Sequence, residues 1–370
     1  MTVTVMTVSI SRAGVHVNRS PLPVGTSGGI LNVLRTRTDR PDLEYAVPPV
    51  SLSGGFWAEI FSIRLADPPP ELAGDLVVRV MPDALLARKE ITVQSGVVAQ
   101  GFPAPAVRFT ADADNAIGRA FMVMELAPGT PLLGGLSATS ILAHLPQLAR
   151  RLPVVLADAA VRLHSIDPAP VSRQLDAIGP RRAATSVSEF LQALSAAADD
   201  LGRPDLAGAG QRLAELRPPS VTEVVCHGDL HPFNVLVDRD RVTVIDWTAS
   251  LIADPAYDVA LTWLLLVDAP LHVPKPLRAP IRVATGRVAR SFLRRYRRRA
   301  PLQVPDLSLR WHVGLHCLRA FVQVAGWARA GELASHLGHP WLTSGAAFAA
   351  RLSRLTGIAV GGHGRPDNTG

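Results

Sequence analysis

The chain has little cysteine, almost no lysine and few aromatic residues. Cys226 and Cys317 are its two cysteines. They lie far apart in sequence, which gives no disulfide framework and fits a reducing compartment. All but Lys89 and Lys275 of the 38 basic residues are arginines. The formal charge of +7 and the pI near 10.3 therefore read as a compositional bias, not as the footprint of a nucleic-acid or membrane-surface protein. No apolar run reaches the length of a spanning helix; Leu261–Val267 is far too short. The N-terminus shows no charged stretch leading into a long apolar one, so no secretory leader is expected. What is present is 48% hydrophobic and 19% charged residues over 370 positions, enough for two lobes with cores of their own. The expected location is cytoplasmic, the expected state a monomer or homodimer, with neither nucleic acid nor membrane as partner.

The chemistry concentrates between Cys226 and Asp258. His227-Gly228-Asp229-Leu230-His231-Pro232-Phe233-Asn234 follows the pattern H-x-D-L-x-x-x-N of kinase catalytic loops. Phosphoryl transfer needs a carboxylate beside the attacking hydroxyl and oxygen ligands holding Mg²⁺ on the phosphates. A short loop places Asp229 at the hydroxyl and returns Asn234 toward the metal, where a neutral oxygen suits a hard cation already ringed by phosphate charge. The apolar run to Val237, the turn residues Asp238-Arg239-Asp240 and the alternating stretch Arg241–Ile245 predict a β-hairpin. That hairpin delivers Asp246 to the same end as Asn234. A metal-hydrolase reading with His227, Asp229, His231 and Asp246 as ligands leaves Asn234 and the hairpin without a purpose.

On these residues the chain resembles the aminoglycoside phosphotransferase and choline kinase-like superfamily, with its H-G-D-x-x-x-x-N signature followed by I-D-W or I-D-F. The resemblance implies an α+β, two-lobe protein-kinase-like fold: a small β-rich N-lobe and a larger, mostly helical C-lobe. It implies ATP and Mg²⁺ as cofactors and a small-molecule hydroxyl substrate. Asp229 would be the catalytic base, with Asn234 and Asp246 as metal ligands and His227 supporting the loop. Asp254 and Asp258 match the family's D-P-x-x-D-x-A element, whose implied role is structural.

The rest of the chain is ordered around that site. Residues 1–40 read as a partly disordered N-terminal extension, irregular over 1–27, with a short helix from Ile30 to Arg37. Pro41–Pro49 reads as a linker. Residues 45–126 are assigned to the N-lobe and 130–358 to the C-lobe, with a loose tail over 361–370. Val50–Leu65 reads as strand, turn, strand. Its small residues Ser53, Gly54 and Gly55 would let backbone N–H groups approach the phosphates. Asp75–Val80 is a third strand, carrying Arg79 where related kinases have a phosphate-binding lysine. Arginine also donates to phosphate, as a planar fork. Its expected partner is Glu90, on a helix over Asp83–Gln100; the adjacent Lys89 should face elsewhere. Arg119–Leu126 resembles the hinge, where adenine would meet the main chain of Glu125 and Leu126, near Met124.

Ser137–Ile166 has a helical pattern, with His164 expected to be packed behind the catalytic loop. Thr185–Asp199 and Pro204–Leu216 read as an inserted helix pair. Helices follow over Pro255–Val267, Leu277–Arg299, Leu307–Ala330 and Trp341–Leu355, and the run Arg294–Arg299 reads as a solvated face. Carboxylates are sparse after Asp258, which disfavours a polycationic acceptor and favours a neutral or anionic hydroxyl compound. The expected activity is transfer of the ATP γ-phosphate to a hydroxyl. The competing class is a nucleotide-binding pseudokinase, for which Arg79 is the main support.

Overall fold

The computed structural model describes residues 24–52, 58–134, 144–178, 186–219, 222–269, 278–337 and 339–361. A helix, α1 (Val24–Thr38), precedes strands β1 (Glu44–Ser51), β2 (Glu59–Ala66) and β3 (Leu76–Met81). Then come α2 (Ala84–Ala99), β4 (Val107–Ala111) and β5 (Ala120–Glu125). The five strands form one antiparallel sheet in the order β1-β2-β3-β5-β4. Its central strand is Leu-Val-Val-Arg-Val-Met, buried along its whole length. Alternation sorts its side chains onto two faces. Val78 and Val80 join Phe61, Ile63 and Phe121 beneath Ile30 and Leu34 of α1, whereas Met81 packs with Met122 and Ala87 on the α2 side. Arg79 shares the face of Met81, so the period of the strand aims its guanidinium at α2.

Two sequence expectations are corrected here. The N-terminal helix starts at Val24, inside the stretch read as irregular, and it covers one face of the sheet: Ile30 is 1% exposed and Leu34 fully buried. The proline-rich stretch read as a linker is largely strand β1. It tolerates Pro48 and Pro49 because it is an edge strand, with register shifts between Tyr45 and Val50. The Asp83–Gln100 helix forms as α2, with Asp83 accepting from the N–H groups of Leu85 and Leu86 as its N-cap.

The larger, mostly helical part follows the two-residue strand β6 (Thr130–Pro131). It contains α3 (Leu145–His164), α4 (Pro168–Asp176), α5 (Val187–Asp200) and α6 (Pro204–Glu215). Strands β7 (Val224–Cys226), β8 (Val235–Asp238), β9 (Arg241–Val244) and β10 (Leu251–Ala253) carry the motif-bearing loop residues between them. Helices α7 (Ala256–Val267), α8 (Arg278–Arg299), α9 (Asp306–Ala330), α10 (Pro340–Thr343) and α11 (Gly345–Thr356) complete it. Helix α4 was not foreseen, and the single helix expected over Trp341–Leu355 is two, broken at Ser344. The inserted pair starts with a full capping box, Ser186 with Glu189. The arginine run is less solvated than its charge suggests. Tyr296 is fully buried against His164, and Arg295 makes a bidentate pair with Asp158 at 2.9 and 2.8 Å. No described helix is long and apolar enough to cross a membrane.

The two parts meet along a seam of specific bonds. Val244 N–H donates to Pro103 O (2.8 Å), and Phe102 meets Trp247 edge-on at 5.6 Å. This seam fixes the sheet over the β8–β9 hairpin.

Candidate active site

The loop after β7 is held from behind. Asp258, on the first turn of α7, accepts from His227 N–H (2.8 Å) and Gly228 N–H (2.6 Å). His164 Nε2 stands 3.3 Å from the same carboxylate, and His164 Nδ1 meets Tyr296 OH at 2.8 Å. Burial works to raise the Asp258 pKa, but the His164 bond and the two main-chain donors overcome it and hold the carboxylate ionised. Asp254 accepts from Ala256 N–H (2.7 Å) and Ser308 Oγ (3.0 Å), which starts α7 and ties it to α9. The D-P-x-x-D element thus sets the loop's position. Gly228 has φ +74°, and a Cβ there would lie 2.1 Å from Ala249 O. Gly228→Ala should cost about 3 kcal/mol or more, from a left-handed backbone and a main-chain clash together. Gly202→Ala is the control: φ is +68° with nothing within 4 Å of the added Cβ, so only about 1–2 kcal/mol is expected. Chemical denaturation of the two variants measures the difference.

Asp229 is 6% exposed. Asn234 Nδ2 donates to its main-chain O (3.0 Å) and to Oδ2 (3.1 Å), and His231 Nε2 lies 3.3 Å from Oδ2. The other oxygen, Oδ1, is buried with no hydrogen-bonding partner among the described residues. A buried carboxylate oxygen left over in this way is a vacant acceptor for a proton donor. The tautomers follow from the main chain. Asp229 N–H donates to His227 Nδ1 (3.2 Å), so Nε2 carries the hydrogen and donates to Ile245 O (3.0 Å). Phe233 N–H donates to His231 Nδ1 (3.2 Å), so its Nε2–H faces Asp229. Burial lowers the His227 pKa against the pull of Asp258 and Asp229, keeping the ring neutral. With both nitrogens engaged, His227 has no lone pair for a metal, which removes the hydrolase set. Among the described residues the one grouping of metal-ligand type is His164, Cys226 and Asp258. Its carboxylate and imidazole are taken by the bonds just given, and burial raises the thiol pKa well above its ordinary value.

The hairpin brings the second carboxylate to Asn234. Strands β8 and β9 pair from Val235–Val244 to Asp238–Arg241, and Ile245 N–H donates to Asn234 O at 3.0 Å. Trp247, fully buried, donates Nε1–H to Val244 O (3.1 Å) and packs on the His227 ring at 4.7 Å. With that indole as anchor the chain turns at Asp246 through φ +65°, a region that costs a non-glycine residue energy. The Asp246 side chain remains 37% exposed, while Arg79 and Glu90 beside it are 6% and 2%.

These groups form one network. Arg79 Nε is 3.2 Å from Glu90 Oε1, a charge contact whose angle does not make it a hydrogen bond. Arg79 Nη2 donates to Asp246 Oδ1 (3.1 Å) and Thr248 Oγ1 (2.6 Å). Thr248 Oγ1 lies 2.7 Å from Asp246 Oδ1 and 3.1 Å from Glu90 Oε2; its single hydrogen serves one carboxylate at a time. Burial pushes Asp246 upward, but Arg79 and the Thr248 hydroxyl win and hold it below the ordinary carboxylate range. For Glu90 burial prevails and the pKa rises. Thr248 was missed in the sequence; its only signal was a hydroxyl two residues after the strand-end aspartate. Lys89, expected on another face of the helix than Glu90, is buried. It is 3% exposed, and burial lowers its pKa to about 8.

Of the remaining expected residues, Ser53, Gly54 and Gly55 lie outside the described residues. At the hinge, Glu125 N–H donates to Ala106 O and Leu126 N–H to Asp75 O, both at 3.0 Å. Both expected N–H groups are thus engaged within the protein. Met124 Sδ receives Gln94 Nε2 at 3.5 Å. A recess of about 470 Å³ beside Arg287, Arg290 and Arg294 contains none of these groups.

The pattern of the phosphotransferase enzyme family matches residues 70–302. Among curated proteins, the chain is 26% identical over 217 residues to mouse acyl-CoA dehydrogenase family member 10, covering 55% of this chain and 19% of that relative's length. Among solved structures, a Ralstonia eutropha protein provisionally named an aminoglycoside phosphotransferase superposes with a TM-score of 0.59 at 15% identity, over 90% of this chain and 98% of that one. The aminoglycoside phosphotransferase APH(4)-Ia gives 0.55 at 18% identity over 90% and 100%. A ternary complex of a thermostable mutant of that enzyme with ADP and hygromycin B gives 0.53 at 18% over 90% and 99%. At these identities the structural likeness establishes the two-lobe, kinase-like fold.

Proposed function

The chain belongs to the phosphotransferase enzyme family, and from that premise we propose that it is an ATP- and Mg²⁺-dependent kinase transferring the γ-phosphate to a hydroxyl of a neutral or anionic small molecule. The observation that carries this reading is the buried, unpartnered Asp229 Oδ1 at the end of a hairpin that also presents Asn234 and Asp246. Asp229 Oδ1 orients the acceptor hydroxyl and takes its proton as the new bond forms, while Asn234 Nδ2 holds Oδ2 and His231 Nε2 stands 3.3 Å from it without a hydrogen bond. The amide nitrogen of Asn234 is committed to Asp229, so its oxygen is the ligand available to a cation, together with the partly exposed carboxylate of Asp246. These are two hard oxygen donors, as Mg²⁺ requires. The ion supplies charge neutralisation on the phosphates. Glu90 steers the Arg79 guanidinium, which takes the phosphate-contacting role of the usual lysine. Glu125 offers main chain to the base. Residues 45–126 then serve the nucleotide and 130–358 the acceptor.

The nucleotide in the solved complexes of APH(4)-Ia supports ATP as donor. The name of the mouse relative makes acyl-bearing hydroxy compounds the first acceptors to screen. The unpaired, buried Cys226 and Cys317 fit a reducing compartment such as the cytoplasm.

One observation favours a second reading, a nucleotide-binding protein without turnover: Arg79 already pairs with Asp246, the intended metal ligand. Calorimetric titration with ATP separates the two. The kinase reading expects Mg²⁺-dependent binding, weakened at least about tenfold in Asp246→Ala. Binding that ignores Mg²⁺, with Asp246→Ala unchanged, supports the non-catalytic reading.

A further inference from the structure

Helix α9 is apolar nearly all round, yet it carries His312, His316, Arg319, Gln323 and Trp327 at steps of four, three, four and four residues, all buried. That spacing puts them on one face. His316 Nε2 meets Tyr257 O at 2.8 Å, and Arg319 Nη1 donates to Gly228 O at 2.9 Å, one residue before Asp229. The stripe therefore runs beneath the catalytic loop. At its far end Trp327 stacks on His336 at 3.9 Å and meets His339 edge-on at 4.9 Å, and His339 packs on Trp341 at 5.5 Å.

Along this line several buried donors have nothing to donate to. Arg319 is 1% exposed, and beyond Gly228 O its contact is the Phe190 ring, 5.9 Å away; Nε and Nη2 have no hydrogen-bonding partner among the described residues. No described carboxylate pairs with it. Trp341 N–H donates to His339 Nδ1 (3.2 Å), so His339 Nε2 carries the hydrogen, and it too has no partner. Trp341 Nε1 is in the same condition. Burial, then the charges of His336, His231 and Arg319, keep the His339 ring neutral, with a pKa lowered to about 3. Buried donors without acceptors, and a buried arginine without a counter-ion, among the described residues are costly unless a ligand completes them.

We propose that Arg319, His339 and Trp341 form an acceptor-side anion subsite. Their free N–H groups receive the oxygens of a carboxylate or phosphate ester on the substrate, and this seating presents the substrate hydroxyl to Asp229 Oδ1. The acceptor is then an anionic hydroxy compound. The assignment of its hydroxyl rests on the kinase reading above; the anion site itself does not. It also accounts for a family member whose stretch after Asp258 is rich in arginine and poor in carboxylates.

The test uses the full chain loaded with Mg²⁺ and a non-hydrolysable ATP analogue. It is titrated calorimetrically with two matched pairs: β-hydroxybutyrate against its methyl ester, and glycerol phosphate against glycerol. The pairs tell carboxylate from phosphate as the anion. At least one anionic member should bind about tenfold or more tightly than its neutral partner. His339→Asn keeps an oxygen for the Trp341 N–H and removes the Nε2 donor; Trp341→Phe removes only Nε1–H. Each should weaken the anion about three- to tenfold, with the melting temperature reporting that the fold survives. Neutral partners binding equally well, both variants leaving anion affinity unchanged, or no anion binding up to about 10 mM would overturn the proposal. Nucleotide binding without anion discrimination sinks this inference alone. Anion discrimination without nucleotide binding sinks the kinase reading and leaves the subsite.

Discussion

Replacing Asp229 with asparagine should lower turnover about a thousandfold while MgATP affinity stays within about twofold. The geometry separates the two effects. Asp229 contacts Asn234 and His231, and neither Arg79 nor Thr248. An asparagine is nearly the same size. Its oxygen takes the Oδ2 position facing Asn234 Nδ2, and its NH₂ takes the place of Oδ1, turning a proton acceptor into a donor at the one atom the reaction requires. The loop should stand, because it is set by Asp258 and Gly228. Steady-state ADP release with the acceptor present, beside calorimetric MgATP titration, reads both quantities. Nearly full turnover would remove Asp229 as base. Lost nucleotide binding would show that Asp229 helps to hold the metal instead.

Acid should unfold the protein early. His312, His316 and His339 are buried, and burial lowers their pKa values from 6.5 to about 4, 3 and 3. Their surroundings add to this unevenly. The Ser308 main chain pulls His312 back upward, while the charge of Arg319 presses His316 and His339 further down. Between pH 6.5 and about 4 the unfolded chain binds a proton at each site and the folded chain binds none. Stability therefore rises with pH across that window and falls as acid is added. Three such groups give a slope of about 4 kcal/mol per pH unit below pH 6. Against a total of about 5–15 kcal/mol, roughly one to four units suffice. Asp258, held below its ordinary carboxylate range, adds a loss of the same sign further down. Urea unfolding from pH 7 to pH 4.5 measures the slope, and His316→Gln should remove about a third of it. A slope under about 1 kcal/mol per unit would mean that these rings take up protons in the folded state.

Much of the site was legible because its chemistry is local in sequence. Asp229 and Asn234 are five residues apart in one loop, and the hairpin that returns Asp246 is written in an apolar run, a turn and an alternating strand. The Arg79–Glu90 contact was legible one step further out, through strand and helix periodicity. What escaped depended on long-range packing. Thr248 joins Arg79 and Glu90 only because the seam at Pro103 and Phe102 sets the sheet over the hairpin. Helix periodicity put Lys89 on another face than Glu90 but did not foretell its burial, which packing alone decides. Leu126 loses its free N–H to a sheet ladder that no hinge pattern displays.

The sequence by itself determined the loop from His227 to Asn234, the hairpin after it, and the family to which they belong, since spacing along a short segment fixes geometry directly. The tertiary structure decided which polar groups share a space. It made α1 a lid on the sheet, set Arg79 against Asp246, and laid the polar stripe of α9 beneath Gly228. The reason is physical: the contacts from Arg79 to Asp246 and from Arg319 to Gly228 join distant segments, and the burial that sharpens their electrostatics exists only once those segments are packed together.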